Sequence, residues 1–393
     1  MYDFQQVIPR KNTNSMKWDK LIEGYKRDDL LPMWVADMDF LVSHHITEAI
    51  SKKLKNPVFG YTFCSDDYYN AVVNWMKKRH NWDIKREWII FTPGVVPALS
   101  YAIRAYSEIG DNVVIQTSVY HLFKQTIINN QRNVITNPLK YENGTYIMDF
   151  EDLEKKIDSK TKLLILCSPH NPVGRVWTVE ELLKLSEICL KNNIKIISDE
   201  IHFDLIYKDY KHTVLSTISN EIKENSIICT APSKTFNLAG MQVSNIIIPN
   251  KEMRDKYNWQ LEIDHIGKPN SFGEAALIAA YNDSEQWLDS LIAYIEQTKD
   301  YFIDYIEKHI PQLKVVNPEG TYLLWVDCSE LGMNSQELKD FFINECKLAL
   351  NHGQMFGEEG DSFQRFNIAC SRTLVQEALD RMNQAIKNKK MGE

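Results

Sequence analysis

The chain has 393 residues, 44% of them hydrophobic and 25% charged, which is the composition of a soluble globular protein with room for two domains. A net charge of −8 argues against nucleic acid or an anionic membrane surface as the main partner. No apolar run reaches the roughly 18 residues that span a bilayer, and Met1-Tyr2-Asp3-Phe4-Gln5 lacks the pattern of a signal peptide. The seven cysteines are scattered, with no C-x-x-C pair. They read as reduced core residues of a cytoplasmic protein, with neither disulfides nor a metal site.

Residues 1–30 mix acidic and basic side chains without a clear period, as expected of an arm that lies on something else. Pro32 to Phe40 is a dense apolar segment too short for a helix. The spacing predicts helices over His45–Lys55 and Asp66–His80, with a turn at Phe59-Gly60-Tyr61-Thr62 between them. From Trp88 onward the order becomes regular. Strands are expected at 88–91, 113–116, 163–167, 194–199, 226–229 and 244–249, with helices through Tyr106, over 120–129 and over 179–192. Apolar strands without clean alternation, separated by amphipathic helices, indicate an α/β protein with a mostly parallel sheet covered on both faces. After about residue 285 the character shifts. A long helix (285–309), strands near 314–316, 321–326 and 365–369, and helices at 335–346 and from Thr373 suggest a smaller α/β lobe. The expected division is a large domain at 45–285, with 1–44 and 286–393 forming the arm and the small domain.

Ligands of open parallel sheets collect where the strands end, and four polar features stand at such ends. Gly94-Val95-Val96 opens a helix, whose free N–H groups and dipole suit a phosphate; taken alone, the glycine is better explained by a structural turn. Asn171, in Ser168-Pro169-His170-Asn171-Pro172, sits on a loop stiffened by two prolines, where its amide could donate to a phenolate oxygen. An Asn-Pro turn is the plainer alternative. Asp199 ends an apolar strand and would be costly to bury without a cationic partner, such as a protonated pyridine nitrogen. A helix N-cap is the alternative there. Lys234 lies between two strands in Ala231-Pro232-Ser233-Lys234-Thr235-Phe236-Asn237-Leu238-Ala239-Gly240, either as a solvated loop residue or as an amine that holds a carbonyl compound as a Schiff base.

In this order and at these spacings the four features resemble the fold-type-I pyridoxal-phosphate enzymes, the aspartate aminotransferase superfamily, along essentially the whole chain. Many of its aminotransferases carry an Arg eight residues after the Lys; here that position is Gln242. Lys234-Thr235-Phe236-Asn237 followed by Gly240-Met241-Gln242 is similar to the cystathionine β-lyase, or C–S lyase, branch. Trp34 to Phe40, Asp199-Glu200-Ile201-His202, Glu319 to Trp325 and Phe366 to Cys370 agree with that branch.

The resemblance implies a seven-stranded, mostly parallel sheet and pyridoxal 5′-phosphate as cofactor. It implies Lys234 as the Schiff-base lysine, Asp199 on the pyridine nitrogen and Asn171 on the ring hydroxyl. His202 would stand near that same oxygen. Tyr120 would stack on the ring, Ile201 would pack its other face, and Gly94, Val95, Val96 and Ser233 would hold the phosphate. Tyr61 would reach the phosphate of a second subunit, so the expected form is a homodimer. Arg365 would grip the substrate α-carboxylate, a bidentate task suited to guanidinium, with the Ala36 backbone lining the same pocket. Core packing for Tyr120 and an ordinary loop position for Tyr61 remain the simpler alternatives. The implied reaction is α,β-elimination on an amino-acid thioether. Transamination, or a non-catalytic regulator that keeps the cofactor, are the other readings.

Overall fold

The computed structural model describes residues 2–392. Its centre is a seven-stranded sheet of β1 (Ile89–Thr92), β2 (Asn112–Ile115), β3 (Asn133–Thr136), β4 (Thr161–Cys167), β5 (Lys195–Asp199), β6 (Ser226–Thr230) and β7 (Ser244–Ile247). The spatial order is β1-β7-β6-β5-β4-β2-β3. Strands β6, β5, β4, β2 and β3 run parallel, and β7 is antiparallel to both its neighbours. The mostly parallel sheet expected from the apolar runs is therefore present.

The lack of alternation has a direct cause: both faces are covered. In β4, Leu164 and Leu166 point into a cluster that contains Trp75, Leu182, Leu185 and Leu277, whereas Leu163, Ile165 and Cys167 point into another that contains Leu99, Ile103, Tyr257 and Leu261. Burying each such aliphatic side chain contributes about 1.5–3 kcal/mol, so a polar residue inside these strands would lose stability on either face.

A second, four-stranded antiparallel sheet follows, made of β8 (Lys314–Val315), β9 (Leu323–Asp327), β10 (Asn351–His352) and β11 (Phe363–Asn367) in the order β8-β9-β11-β10. The N-terminal segment completes this part. Leu31–Pro32 pairs in parallel with Leu348–Ala349, and the Asn367 N–H donates to the Met33 carbonyl at 2.9 Å. A buried ion cluster clasps the arm in place. Lys17, with no exposed surface, meets Asp39 at 2.6 Å, and Arg10 bridges Asp37 at 2.7 Å and Asp39 at 2.6 Å. Trp18 Nε1–H donates to the same Asp39 carboxylate at 3.0 Å.

The differences from the sequence reading are local. Phe59-Gly60-Tyr61-Thr62 forms no turn; the chain turns at Lys55–Asn56 and runs irregularly from 57 to 65. Strand β3, a hairpin at Lys140–Glu142 and Thr145–Ile147, and helices Phe150–Lys156, Lys251–Ile263 and Ser271–Asp283 occupy stretches for which no element was expected. The arm, expected without a period, holds a short helix at Asp19–Tyr25, and the helix at Ser335–Asp340 passes into a π-helical turn at Phe341–Glu345. Six cysteines are buried, Cys64 is half-buried, and none is bonded to another. Burial pushes the Cys189 and Cys370 thiols up to about 12.

Candidate active site

Strand register assembles the first half of the site. Cys167, Asp199 and Cys229 stand side by side across β4, β5 and β6, so the chain segments leaving these strands emerge together. They carry Asn171, Ile201 with His202, and Lys234. A cavity of about 450 Å³ opens there, and every cofactor- or substrate-binding residue expected from the sequence lines it except Tyr61.

Lys234 stands on the short helix Pro232–Thr235, whose first residue is a proline with φ suited to a helix start. Thr235 fixes this helix from behind. Its hydroxyl donates at 2.7 Å to Asp204, a buried carboxylate that also receives Trp75 Nε1–H at 3.2 Å. The Lys234 amine donates to the Ala36 carbonyl at 2.7 Å. Burial, and after it the Arg365 guanidinium, brings its pKa down to about 8. A lysine whose pKa has fallen to about 8 keeps a usable neutral fraction at working pH and can act as nucleophile and as base.

Asp199 is buried, and one oxygen accepts the Ile201 N–H at 3.2 Å. Burial pushes its carboxyl up to about 7, against that hydrogen bond and the charge of Lys234. No cation pairs with it at hydrogen-bond distance among the described residues. His202 is likewise buried and has no partner for its Nδ1; burial, then Lys234 and Arg365, keep the ring neutral. Both groups line the cavity with hydrogen-bonding capacity unused, which fits a ligand carrying a protonated ring nitrogen and a nearby oxygen.

Asn171 accepts Arg365 Nη1–H at 2.9 Å through its Oδ1, and its amide nitrogen has no hydrogen-bond partner among the described residues. Gly94 precedes the helix Val95–Tyr106 with φ +156°, and the N–H groups of Val95 and Val96 have no intrahelical acceptor. Pro97 follows and has no N–H to add. Ser233 lines the same cavity, as does Gln242, which is exposed and in a left-handed conformation. This end of the cavity thus offers backbone and hydroxyl donors, and no arginine. Tyr120 is half-buried, and Ile201 lines the same space.

The second half comes from far away in sequence. Arg365 on β11 is fully buried, with Nη2–H donating to the Trp34 carbonyl at 2.8 Å and to Asn351 Oδ1, and its Nε–H has no partner. Phe356 lies 4.9 Å from its guanidinium carbon, a cation–π contact. Asn367, two residues further on the same strand, donates to the carbonyls of Val35 and Asp37, each at 2.6 Å. Tyr322 hydroxyl donates to the Ala36 carbonyl at 2.8 Å, and Asn237 holds Met38 through both its N–H and its carbonyl. The turn at 34–38 is therefore fixed as a backbone wall facing Lys234.

Sequence reasoning missed Asn351, His121 and Met355, which also line the cavity. Asn351 and Met355 belong to a stretch that carries no strong periodic signal. His121 had an available cue, since it directly follows Tyr120. Tyr61 lies outside the cavity with its side chain fully exposed, near Lys268 at 5.5 Å.

The donor set can be tested against pyridoxal 5′-phosphate group by group. A primary amine of lowered pKa, a carboxylate lacking a cation, an unpaired amide and two free helix N–H groups match its aldehyde, ring nitrogen, hydroxyl and phosphate. The residues fit the group.

Comparison with known proteins agrees. The model of the family described as aminotransferase class I and II matches residues 29–382. The chain is 42% identical over 385 residues to the cystathionine beta-lyase PatB of Bacillus subtilis, covering 98% of this chain and all of that one. Cystalysin from Treponema denticola, whose crystal structure contains a pyridoxal 5′-phosphate cofactor, is 40% identical and superposes with a TM-score of 0.96 over 99% of each chain. The pyridoxal-phosphate-bound C-S lyase of Staphylococcus hominis gives 0.91 at 33% identity over 98% of each. With its seven-stranded sheet, its strand-end lysine and aspartate and a match of this extent, the chain belongs to the pyridoxal-phosphate-dependent aminotransferase class I and II family, in the branch of the C–S lyases.

Proposed function

We propose that the chain is a carbon–sulfur β-lyase. It would convert a cysteine S-conjugate such as L-cystathionine, with one water, into a thiol (here homocysteine), pyruvate and ammonia. The observation that carries this reading is that Lys234 and Arg365 open onto one cavity beside Asp199. An amine base, a carboxylate grip and a buried carboxyl group thereby line a single amino-acid-sized space.

When bound, the cofactor supplies an electron sink for the charge left at Cα. The chain's own residues do the rest. Arg365 meets the α-carboxylate, with its unpaired Nε–H and the two Nη groups now held by Asn171, Asn351 and Trp34. Fixing the carboxylate aims the Cα–H bond at Lys234. The Lys234 Nζ takes that proton, and a pKa of about 8 suits a base that must also release it. Asp199, whose carboxyl burial raises to about 7 in the absence of a cation, would pair with the ring nitrogen of the cofactor and carry its charge there. Tyr120 would cover one face of the bound ring and Ile201 the other. Val95, Val96 and Ser233 would hold the phosphate without an arginine, so each donor would carry more of the affinity.

Tyr61 is read as a residue for a second copy's site. Val58, Phe59, Tyr61 and Phe63 are all exposed, an apolar strip that a soluble chain covers by association. A homodimer in the cytoplasm is the proposed form, and no helix among the described residues is long and apolar enough to cross a membrane. The deciding experiment gives L-cystathionine to the purified holoprotein and assays thiol, pyruvate and keto acid. Thiol and pyruvate in equal amounts are expected. Amino transfer to a keto acid without thiol would replace this reading with transamination.

A further inference from the structure

The turn that carries Asp199, Ile201 and His202 into the cavity has a second side that the proposed reaction does not use. Period two sends Ser198 and Glu200 the other way from Asp199. Neither these two nor Phe203 and Asp204 line the cavity, and all four are buried. Glu200 accepts the Ser198 hydroxyl at 2.9 Å and the Leu215 N–H at 3.0 Å on one oxygen, and His212 Nε2–H at 2.8 Å on the other. Asp204 accepts His80 Nε2–H at 2.8 Å on one oxygen and the Thr235 hydroxyl at 2.7 Å on the other, with Trp75 Nε1–H near both. Two buried carboxylates thus each hold an imidazole behind the residues proposed for the cofactor.

The two pairs form one unit. Phe203 stacks on the His80 ring with centroids 4.2 Å apart and meets the His212 ring edge-on at 6.3 Å, and the two imidazoles lie edge to face at 6.1 Å. Thr235, the residue after Lys234, ties this unit to the segment that carries the amine. That segment needs the tie. Helix Pro232–Thr235 is four residues long and closes with the Phe236 N–H on the Pro232 carbonyl at 2.9 Å. A single helical turn does not hold its own shape, and displacing a reacting group by about 1 Å can cost about 10²-fold in rate.

We infer that Asp204 is a positioning residue for Lys234, with His80 as its support. It is hydrogen-bonded to Thr235 on one side and continuous through the turn with Asp199 and His202 on the other, so it fixes where the Lys234 amine stands relative to Asp199. Pyridoxal 5′-phosphate is a rigid ring, and the amine that meets its aldehyde and the carboxyl that meets its ring nitrogen must keep a set separation. Glu200 and His212 hold the near end of the same turn. Were the unit only core, loss of one of its hydrogen bonds would cost stability and leave the reacting groups in place. The inference rests on Lys234 as the base of the proposed reaction, and holds whichever bond breaks after the Cα proton has gone.

The test follows proton removal at Cα with L-alanine, which has no leaving group. In D₂O the holoprotein should exchange its Cα hydrogen, read by proton NMR. Thr235→Val and His80→Leu should each slow exchange at saturation about tenfold. The half-saturating concentration of L-alanine should stay the same, since Arg365 is untouched, and the visible circular dichroism of the bound cofactor should weaken. Thr235→Ser and His80→Gln, which keep a donor for Asp204, should recover most of the rate. The double variant Thr235→Val/His80→Leu should be at most about twofold slower than Thr235→Val, because both changes act through Asp204. Variants that unfold in less denaturant yet exchange at the wild-type rate, or losses that multiply in the double variant, overturn the inference. If Thr235→Val does not fold, His80→Leu against His80→Gln decides alone, since His80 stands outside the cavity. A wild-type protein that exchanges L-alanine but frees no thiol from L-cystathionine sinks the lyase reading, and the exchange rates still decide the role of Asp204.

Discussion

The two halves of the site are built on opposite plans. The half proposed for the cofactor hangs from neighbouring strand ends, where the register of β4, β5 and β6 sets Asn171, Asp199 and Lys234 within one short span of the sheet. The half proposed for the substrate is a backbone turn at 34–38 held by side chains roughly 200 to 330 positions away, namely Asn237, Tyr322, Arg365 and Asn367. The first inherits its rigidity from a core that the whole sheet shares. The second depends on a handful of hydrogen bonds and on the clasp of the arm, so the two halves should fail separately.

The largest expected effect breaks the cofactor half. Lys234→Ala should reduce turnover by at least about 10³-fold and abolish the visible absorbance of the bound cofactor, with the fold kept by circular dichroism. Next is the clasp. Lys17→Met leaves Asp39 buried with only Arg10 and Trp18, and should cost about 3 kcal/mol in denaturant unfolding. Substrate KM should rise in the same variant while cofactor affinity holds. Loss of both together would show that the halves are one unit. Asn367→Ala sharpens the comparison further. It strips the carbonyls of Val35 and Asp37 of their donor, so stability should fall by about 1–3 kcal/mol and kcat/KM should drop without loss of cofactor.

The next prediction reads Asp199 through pH. In cofactor-free protein its carboxyl is raised to about 7, so the folded state keeps a proton that the unfolded chain releases earlier. That contribution is full below the unfolded carboxylate range and is lost as pH rises through about 7. Asp199→Asn removes the dependence, so the gap in Tm between wild type and variant should shift by about 2–4 °C between pH 4 and 8, wild type losing ground as pH rises. An unchanged gap would place the Asp199 proton elsewhere. The smallest effect is Tyr61→Phe, which should weaken cofactor retention about fivefold, the value of one hydrogen bond. Equal retention would return Tyr61 to an ordinary exposed loop.

The contrast also explains what could be read without coordinates. Asp199 and Lys234 were visible because a charge beside an apolar strand is locally anomalous, and Asn171 because two prolines frame it. Arg365 and Ala36 came only through the likeness to a family, since nothing near Ala36 marks its carbonyl as an acceptor. Asn351 escaped altogether: its work is to hold Arg365, and a residue that acts on another side chain leaves no periodic trace. Asn367 left a faint one, as period two in a strand puts it on the face of Arg365. Helix Lys251–Ile263 did carry a signal, with Met253, Tyr257 and Leu261 buried at intervals of four, but its many charges hid the stripe.

The cysteines have a consequence for the life of such a catalyst. A protein that liberates thiols works among their oxidation products, and disulfide exchange begins with attack by a thiolate. Here Cys167 borders the reaction space itself, and burial, followed by the charge of Asp199, raises its thiol far above the ordinary range. The half-buried Cys64 is pushed up to about 12 by burial and then by Glu274. Raised in this way, the thiols hold little thiolate at working pH, and it is the thiolate that a disulfide product would need in order to cap them.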